Sequence, residues 1–260
     1  MMKKIRLAGA VTLLTLITTI SCKRTVYTHP DDSPPSYYLP LQIGKYAIYQ
    51  LDSLNYYYYG QLDTITRYLA KDAVEDSITD NLGHISYMVV RYLSPAVGPT
   101  VWTPSLTMKV TPSSQSVQVL ENNLRYIKLA YPMKEGLTWN GNAALPDDPY
   151  QDLFDYTSSA NRALNTWTYS YQNVNQPFTA GNNTYDSTVT ILQDDDSSNV
   201  PIRIDSAFAT RTYWTETYAK NVGLIYRKTI MWDRQPAVPH TTQAAYKVGF
   251  EVVFTLLEHN

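Results

Sequence analysis

The closing segment of the chain constrains its fold more than any other. Across Ala244–Leu257, Tyr246, Val248, Phe250, Val252, Phe254 and Leu256 fall on one face of an extended strand. Ala245, Lys247, Gly249, Glu251, Val253 and Thr255 fall on the other. Such alternation means one buried face and one wet face, as in an antiparallel sheet. Just before it, Gly223–Trp232 sets Leu224, Tyr226, Lys228, Ile230 and Trp232 on one face. A long apolar strand at a sheet edge invites aggregation, so the closing strand is expected inside its sheet.

The rest of the chain continues the pattern. Tyr46–Leu54, Leu62–Leu69 and His84–Leu93 read as strands, with Asp80-Asn81-Leu82-Gly83 as a turn. Val101–Val110 is interrupted by Pro104 and reads as an edge. Val117–Leu120 and Leu124–Ala130 form an expected hairpin across Glu121-Asn122-Asn123. Thr166–Tyr171, Thr184–Leu192 and Ile202–Ala209 have β-type composition, and Asp194–Asn199 reads as a polar loop between the last two. Asp147-Asp148-Pro149 resembles the start of a short helix within Asp147–Ala163, and Glu216–Lys220 reads as a helical turn or a bulged strand. Fixed-period repeats and βαβ alternation are absent. The predicted class is mainly β: an antiparallel sandwich, open barrel or curved sheet with at most one or two short helices.

Tyrosine is the compositional anomaly, with 23 residues against five phenylalanines. Its apolar face and polar tip suit half-wet sheets, and it also suits platforms that stack on sugars or peptides.

The N-terminus carries an address. Lys3, Lys4 and Arg6 precede the apolar, threonine-rich Leu7–Ile20, and small residues lead into Cys22, the chain's one cysteine. A basic start, an apolar stretch and a small-residue cut read as a secretory signal over residues 1–21. The stretch is too short to span a bilayer, which needs about 20 apolar residues. A cysteine just after the cut resembles the lipobox of bacterial lipoproteins, which implies that Cys22 is acylated. Residues 22–36, with Pro30, Pro34 and Pro35, then form a lipidated tether, whose last 14 residues reach about 45–50 Å when extended. Residues 37–260 form a single β domain. Lys23 lacks the acidic character that retains some lipoproteins at the inner membrane, so the expected location is the outer membrane, on either face.

Removing Met1–Ser21 takes away three of 21 basic residues and none of 23 acidic ones. That leaves 18 bases against 23 acids, a charge of −5. A mildly acidic body without a basic run argues against nucleic acid as a partner. With Cys22 acylated, no thiol remains for a disulfide or a nucleophile.

Several segments are similar to a group of uncharacterised lipoproteins of Bacteroidetes-type bacteria. They are Tyr38–Gly44 with Tyr46 and Tyr49, Leu51-Asp52-Ser53, Asp63-Thr64, the Asp80–Gly83 turn, Glu121–Leu124, Trp139–Asn142 and Tyr218–Tyr226. The resemblance implies an envelope address and a β fold, and it brings no catalytic residue.

Five triplets read Asp, then Ser or Thr, then an apolar residue or Thr, with their hydroxyls at Ser53, Thr64, Ser77, Ser187 and Ser206. They resemble the O-glycosylation acceptor of exported proteins in the same group, and they also mark turns and strand ends.

Chemistry-bearing motifs are sparse. His29, His84, His240 and His259 are scattered, so no metal site is expected. No Gly-x-Ser-x-Gly elbow and no glycine-rich phosphate loop occurs, and no cofactor is expected. Asp194–Asp196 lacks the glycine and distal glutamate of a calcium loop. Asp147, Asp148, Asp152, Asp155, Glu216 and Glu251 supply carboxylates from which a glycosidase pair could be drawn. The expected function is a non-enzymatic binding or accessory module of the envelope, with a protein, glycan or lipid as ligand. The alternatives are a lipid or lipoprotein carrier with a LolB-like half-barrel and a glycan-acting hydrolase.

Overall fold

In the computed structural model, which describes residues 33–151 and 163–260, twelve strands make one antiparallel sheet. The chain lays it down as two meanders. The first contains β1 (Tyr46–Tyr57), β2 (Leu62–Thr79), β3 (Ile85–Pro95), β4 (Thr103–Pro112), β5 (Ser116–Glu121) and β6 (Leu124–Ala130). The second contains β7 (Thr138–Trp139), β8 (Tyr169–Ala180), β9 (Asn183–Ser198), β10 (Ala209–Ala219), β11 (Gly223–Gln235) and β12 (Tyr246–His259). The strand order runs β6 to β1 and then β12 to β7, so the first and last strands join the halves at the centre. Leu51 lies opposite Phe254 in that pairing. The closing strand is therefore interior, as its alternation predicts.

The two outer ends of the sheet come together and nearly close a barrel. Ile127 N–H donates to Gly141 O at 2.8 Å, and Trp139 Nε1 donates to Ile127 O at 2.8 Å. The Tyr171 hydroxyl accepts from Ala130 N at 2.8 Å and donates to Ala130 O at 2.7 Å. These bonds cover backbone that an open edge would leave unpaired. Gly141 is required at this seam, because a Cβ there would lie 2.3 Å from the Tyr169 ring.

Turn chemistry sets the hairpins. Asn122 and Asn123, at φ 51 and 61, make the two-residue β5–β6 turn in the left-handed region that asparagine tolerates. The Asp80 carboxylate accepts from the backbone N–H of Leu82 and His84, at 2.8 and 2.9 Å, and fixes the β2–β3 turn. Two short 3₁₀ turns, Pro35–Tyr38 and Leu164–Thr166, are the helical elements among the described residues.

Several segments differ from their sequence reading. Pro104 sits within β4, which lies between β3 and β5 and is not an edge. The proline is tolerated because β5 pairs β4 only over Met108–Pro112, and a bulge at Ser105 interrupts the β3 ladder beside it. Asp194–Ser198 is strand, paired with Thr210–Trp214, and Ile202–Phe208 is the loop. Asn199 organises that loop: its Oδ1 accepts from Arg203 N at 3.0 Å and Ile204 N at 3.2 Å. Glu216–Lys220 is the bulged-strand alternative, with a register shift at Thr217/Tyr218. Residues 152–162, most of the expected helical stretch, lie outside the described residues.

The core fills the barrel interior. Trp167, Tyr38, Tyr169, Tyr171, Met231 and Leu256 are among its largest closed-off side chains. Buried tyrosines satisfy their hydroxyls internally: Tyr49 donates to Leu224 O, Tyr169 to Asn142 Oδ1 and Tyr218 to Glu216 Oε2. Among the described residues, six tyrosines thus sit in the core, where their polar tips need internal partners.

Candidate functional site

The bulge opposite Thr217/Tyr218 makes Ile225 the extra residue of β11 and reverses the facing of the residues after it. Leu224 faces inward, but Tyr226, Lys228, Ile230 and Trp232 do not share its face. Arg227 and Thr229 instead line the interior. Lys228 pairs outside with Glu251 of β12 at 2.9 Å, and Lys247 lies over the outward Trp232 ring at 4.5 Å.

The inward set forms a buried ion network across the barrel. Glu216 of β10 takes Lys128 of β6 at 2.7 Å and Arg227 at 2.9 Å, both at Oε1. Arg91 of β3 meets Asp72 of β2 through two parallel bonds of 2.7 Å, and its Nη1 lies 3.7 Å from Glu121 of β5. The Phe254 ring lies beneath both Arg91, at 4.7 Å, and Arg227, at 5.4 Å. Burial alone would raise the Glu216 carboxyl, but Lys128 and Arg227 outweigh it and hold the group at about 2. Burial likewise disfavours charge on Arg227, yet Glu216 carries it above its ordinary value.

The network separates two cavities that share Arg91, Lys128 and Arg227. The lower one, about 100 Å³, is walled by aliphatic side chains such as Leu41, Val74, Met108 and Leu224. The N-terminal segment Leu39–Leu41 borders it. The upper one, about 250 Å³, has an aromatic wall of Tyr126, Tyr150, Trp214, Phe250 and Phe254. Asn122, at the exposed β5–β6 turn, lies at its mouth.

Two polar groups at the upper cavity are underused. Among the described residues, the Arg227 guanidinium donates no hydrogen bond, its Nε meeting Glu216 off the N–H direction. Among the described residues, the Glu121 carboxylate has the 3.7 Å approach of Arg91 as its one ion-pair contact. Buried polar groups ordinarily find partners, so such groups at a cavity wall can engage a ligand.

A different feature occupies the end of the barrel remote from the tether. The β1–β2 tip exposes Tyr58 and Tyr59, the latter 89% accessible, and the β3–β4 turn exposes Val97 and Val101. The chain enters at the other end, where Asn221 N donates to Tyr37 O at 2.7 Å.

The residues singled out from sequence are dispersed. Cys22, His29, Asp152 and Asp155 lie outside the described residues. Ser53 on β1 and Ser77 on β2 are half-buried, whereas Thr64 on β2, Ser187 on β9 and Ser206 in the β9–β10 loop are exposed. His84 pairs with Asp80, and Asp195 with Arg211. Glu216 and Glu251 occupy opposite faces of the wall, so they form no glycosidase pair. Among the described residues no three His, Cys, Asp or Glu side chains group as a metal site. Sequence reasoning misses the network residues Asp72, Arg91, Glu121, Lys128 and Arg227. Their signal is a charge on the inward face of an alternating strand, as with Lys128 beside Tyr126.

No family model matches the chain, and no curated protein is significantly similar. An exported protein with a YmcC-like fold from Bacteroides fragilis NCTC 9343 aligns at 11% identity and a TM-score of 0.38, over 84% of this chain and 98% of that one. A lipoprotein from Parabacteroides distasonis ATCC 8503 aligns at 12% and 0.37, over 86% and 98%. These are loose likenesses of chain path. They carry nothing about ligand or activity.

Proposed function

We propose that this chain is an outer-membrane lipoprotein, anchored through Cys22, whose barrel binds a small ligand and catalyses no reaction. The upper cavity carries the reading: an aromatic wall of about 250 Å³ faces a guanidinium and a carboxylate that the fold leaves underused. Small-ligand sites combine such apolar walls with a few convergent polar groups. Glu216 is a poor general acid, because a carboxyl held at about 2 is ionised at neutral pH.

The carrier alternative draws on the aliphatic lower cavity. At about 100 Å³ it has room for roughly three waters, which is far short of a full acyl chain. Of the five glycosylation candidates, Thr64, Ser187 and Ser206 are the accessible ones. Intact mass of the protein from its native host should show glycan beyond the acyl group, and the acyl mass alone refutes modification.

Thermal-shift screening of the mature protein against small metabolites tests the binding reading. Stabilisation by a metabolite, lost in Thr229→Trp, is the expected result. A library without a stabilising member, or turnover of any member, contradicts it.

A further inference from the structure

We infer that the ligand of the upper cavity is a neutral sugar ring of about one hexopyranose, the size of a glycan's terminal residue. The inference rests on the reading of that cavity as a binding site.

Size comes first. At roughly 20 Å³ per non-hydrogen atom in a packed interior, about 250 Å³ admits about twelve such atoms, as in one hexose. The wall comes second. Lys128 lies over Tyr126 at 4.6 Å, and Arg91 and Arg227 lie over Phe254. Cations thus engage two of the five rings. Tyr150 joins the other two, 5.7 Å from Trp214 and 5.8 Å from Phe250, as an aromatic surface. The C–H face of a pyranose is apolar and flat enough to lie on such a surface.

The polar groups match the ring's other aspect. A hydroxyl both donates and accepts. Arg227 offers donors and Glu121 offers acceptors on the same cavity, which suits neighbouring hydroxyls. An alkyl ligand would desolvate both groups and partner neither, which is unfavourable for buried polar groups.

Charge decides the last point. Arg91, Lys128 and Arg227 are balanced by Asp72, Glu121 and Glu216. A uronate or an amino sugar would bring an uncompensated charge into a balanced, poorly solvated site, and a neutral sugar would not. Asn122-Asn123 forms the exposed turn at the mouth, so a chain end can enter there.

The test is calorimetric titration of the full mature protein, in a detergent without a sugar headgroup. The panel is glucose, galactose, mannose, N-acetylglucosamine, galacturonate and palmitate. Saturable binding of at least one neutral sugar is expected, and Leu124→Trp, which fills the mouth, should abolish it. Thr229→Trp fills the cavity from the opposite wall and serves if Leu124→Trp fails to fold. Binding of galacturonate or palmitate alone, lost in the filled variant, leaves a binding site and overturns the sugar assignment. A neutral sugar that binds both filled, folded variants undiminished also overturns it. Heat from no member of the panel refutes the sugar assignment, and the thermal-shift screen of metabolites then decides whether the cavity binds anything.

Discussion

Arg227 and Lys228 are consecutive in β11, and each holds a carboxylate at 2.9 Å. They differ in the face of the wall they occupy. The Glu216 side chain opposite Arg227 is 3% exposed, whereas Lys228 and Glu251 are 30% and 26% exposed. The comparison teaches that distance alone does not set the weight of an ion pair. Outside, water already solvates both partners. Inside, each partner depends on the other, because neither can recover its hydration.

The largest expected effect comes directly from this contrast. Glu216→Leu leaves Lys128 and Arg227 buried without their shared anion and should cost about 3–5 kcal/mol. Glu251→Leu should cost at most about 1 kcal/mol. Urea unfolding of both variants checks the contrast, and equal losses would break it.

The acid limb of stability should show the same asymmetry. Glu216 has an ordinary value of 4.5 and is held at about 2 in the fold. A depressed carboxyl contributes stability that is present above its unfolded value and lost as pH falls through its folded value. The loss should therefore run from about pH 4.5 towards 2 and amount to roughly 3 kcal/mol, an order-of-magnitude figure. Unfolding midpoints across this range should flatten in Glu216→Gln. They should keep their slope in Glu251→Gln.

A smaller effect belongs to the seam. Tyr171→Phe removes one hydroxyl that serves both backbone groups of Ala130, and should cost about 1–3 kcal/mol. Hydrogen exchange at Ala130 should quicken, and an unchanged rate would mean that the barrel edges close without that hydroxyl. The smallest effect is at the rim. Tyr59→Ser on the exposed β1–β2 tip should change stability by no more than about 0.5 kcal/mol.

The same division between faces separates the legible parts of the chain from the hidden ones. The alternation of Tyr246–Leu256 foretells an interior antiparallel strand, and Asn122-Asn123 foretells its hairpin. Both are local signals. The inward Arg227 is hidden because Tyr226, Lys228, Ile230 and Trp232 are the more apolar set, and the Ile225 bulge alters which set faces in. Asp194–Ser198 resembles a loop because its pairing with β10 is non-local. The site itself joins residues from β3, β5, β6, β10, β11 and β12 with Tyr150 from the β7–β8 connection. No spacing within one segment could reveal that convergence. Cys22 remains an address written in sequence alone.

The central claim is that the inner face, above the ion network, holds a neutral sugar. Titration of neutral sugars into protein labelled with ¹⁵N at its five tryptophan indoles tests it most directly. Trp214→Phe and Trp232→Phe assign the two decisive signals. A saturable shift of the inward Trp214 signal, with the outward Trp232 signal still, is the predicted result. A still Trp214 signal at saturating sugar, or a shift confined to Trp232, would contradict it.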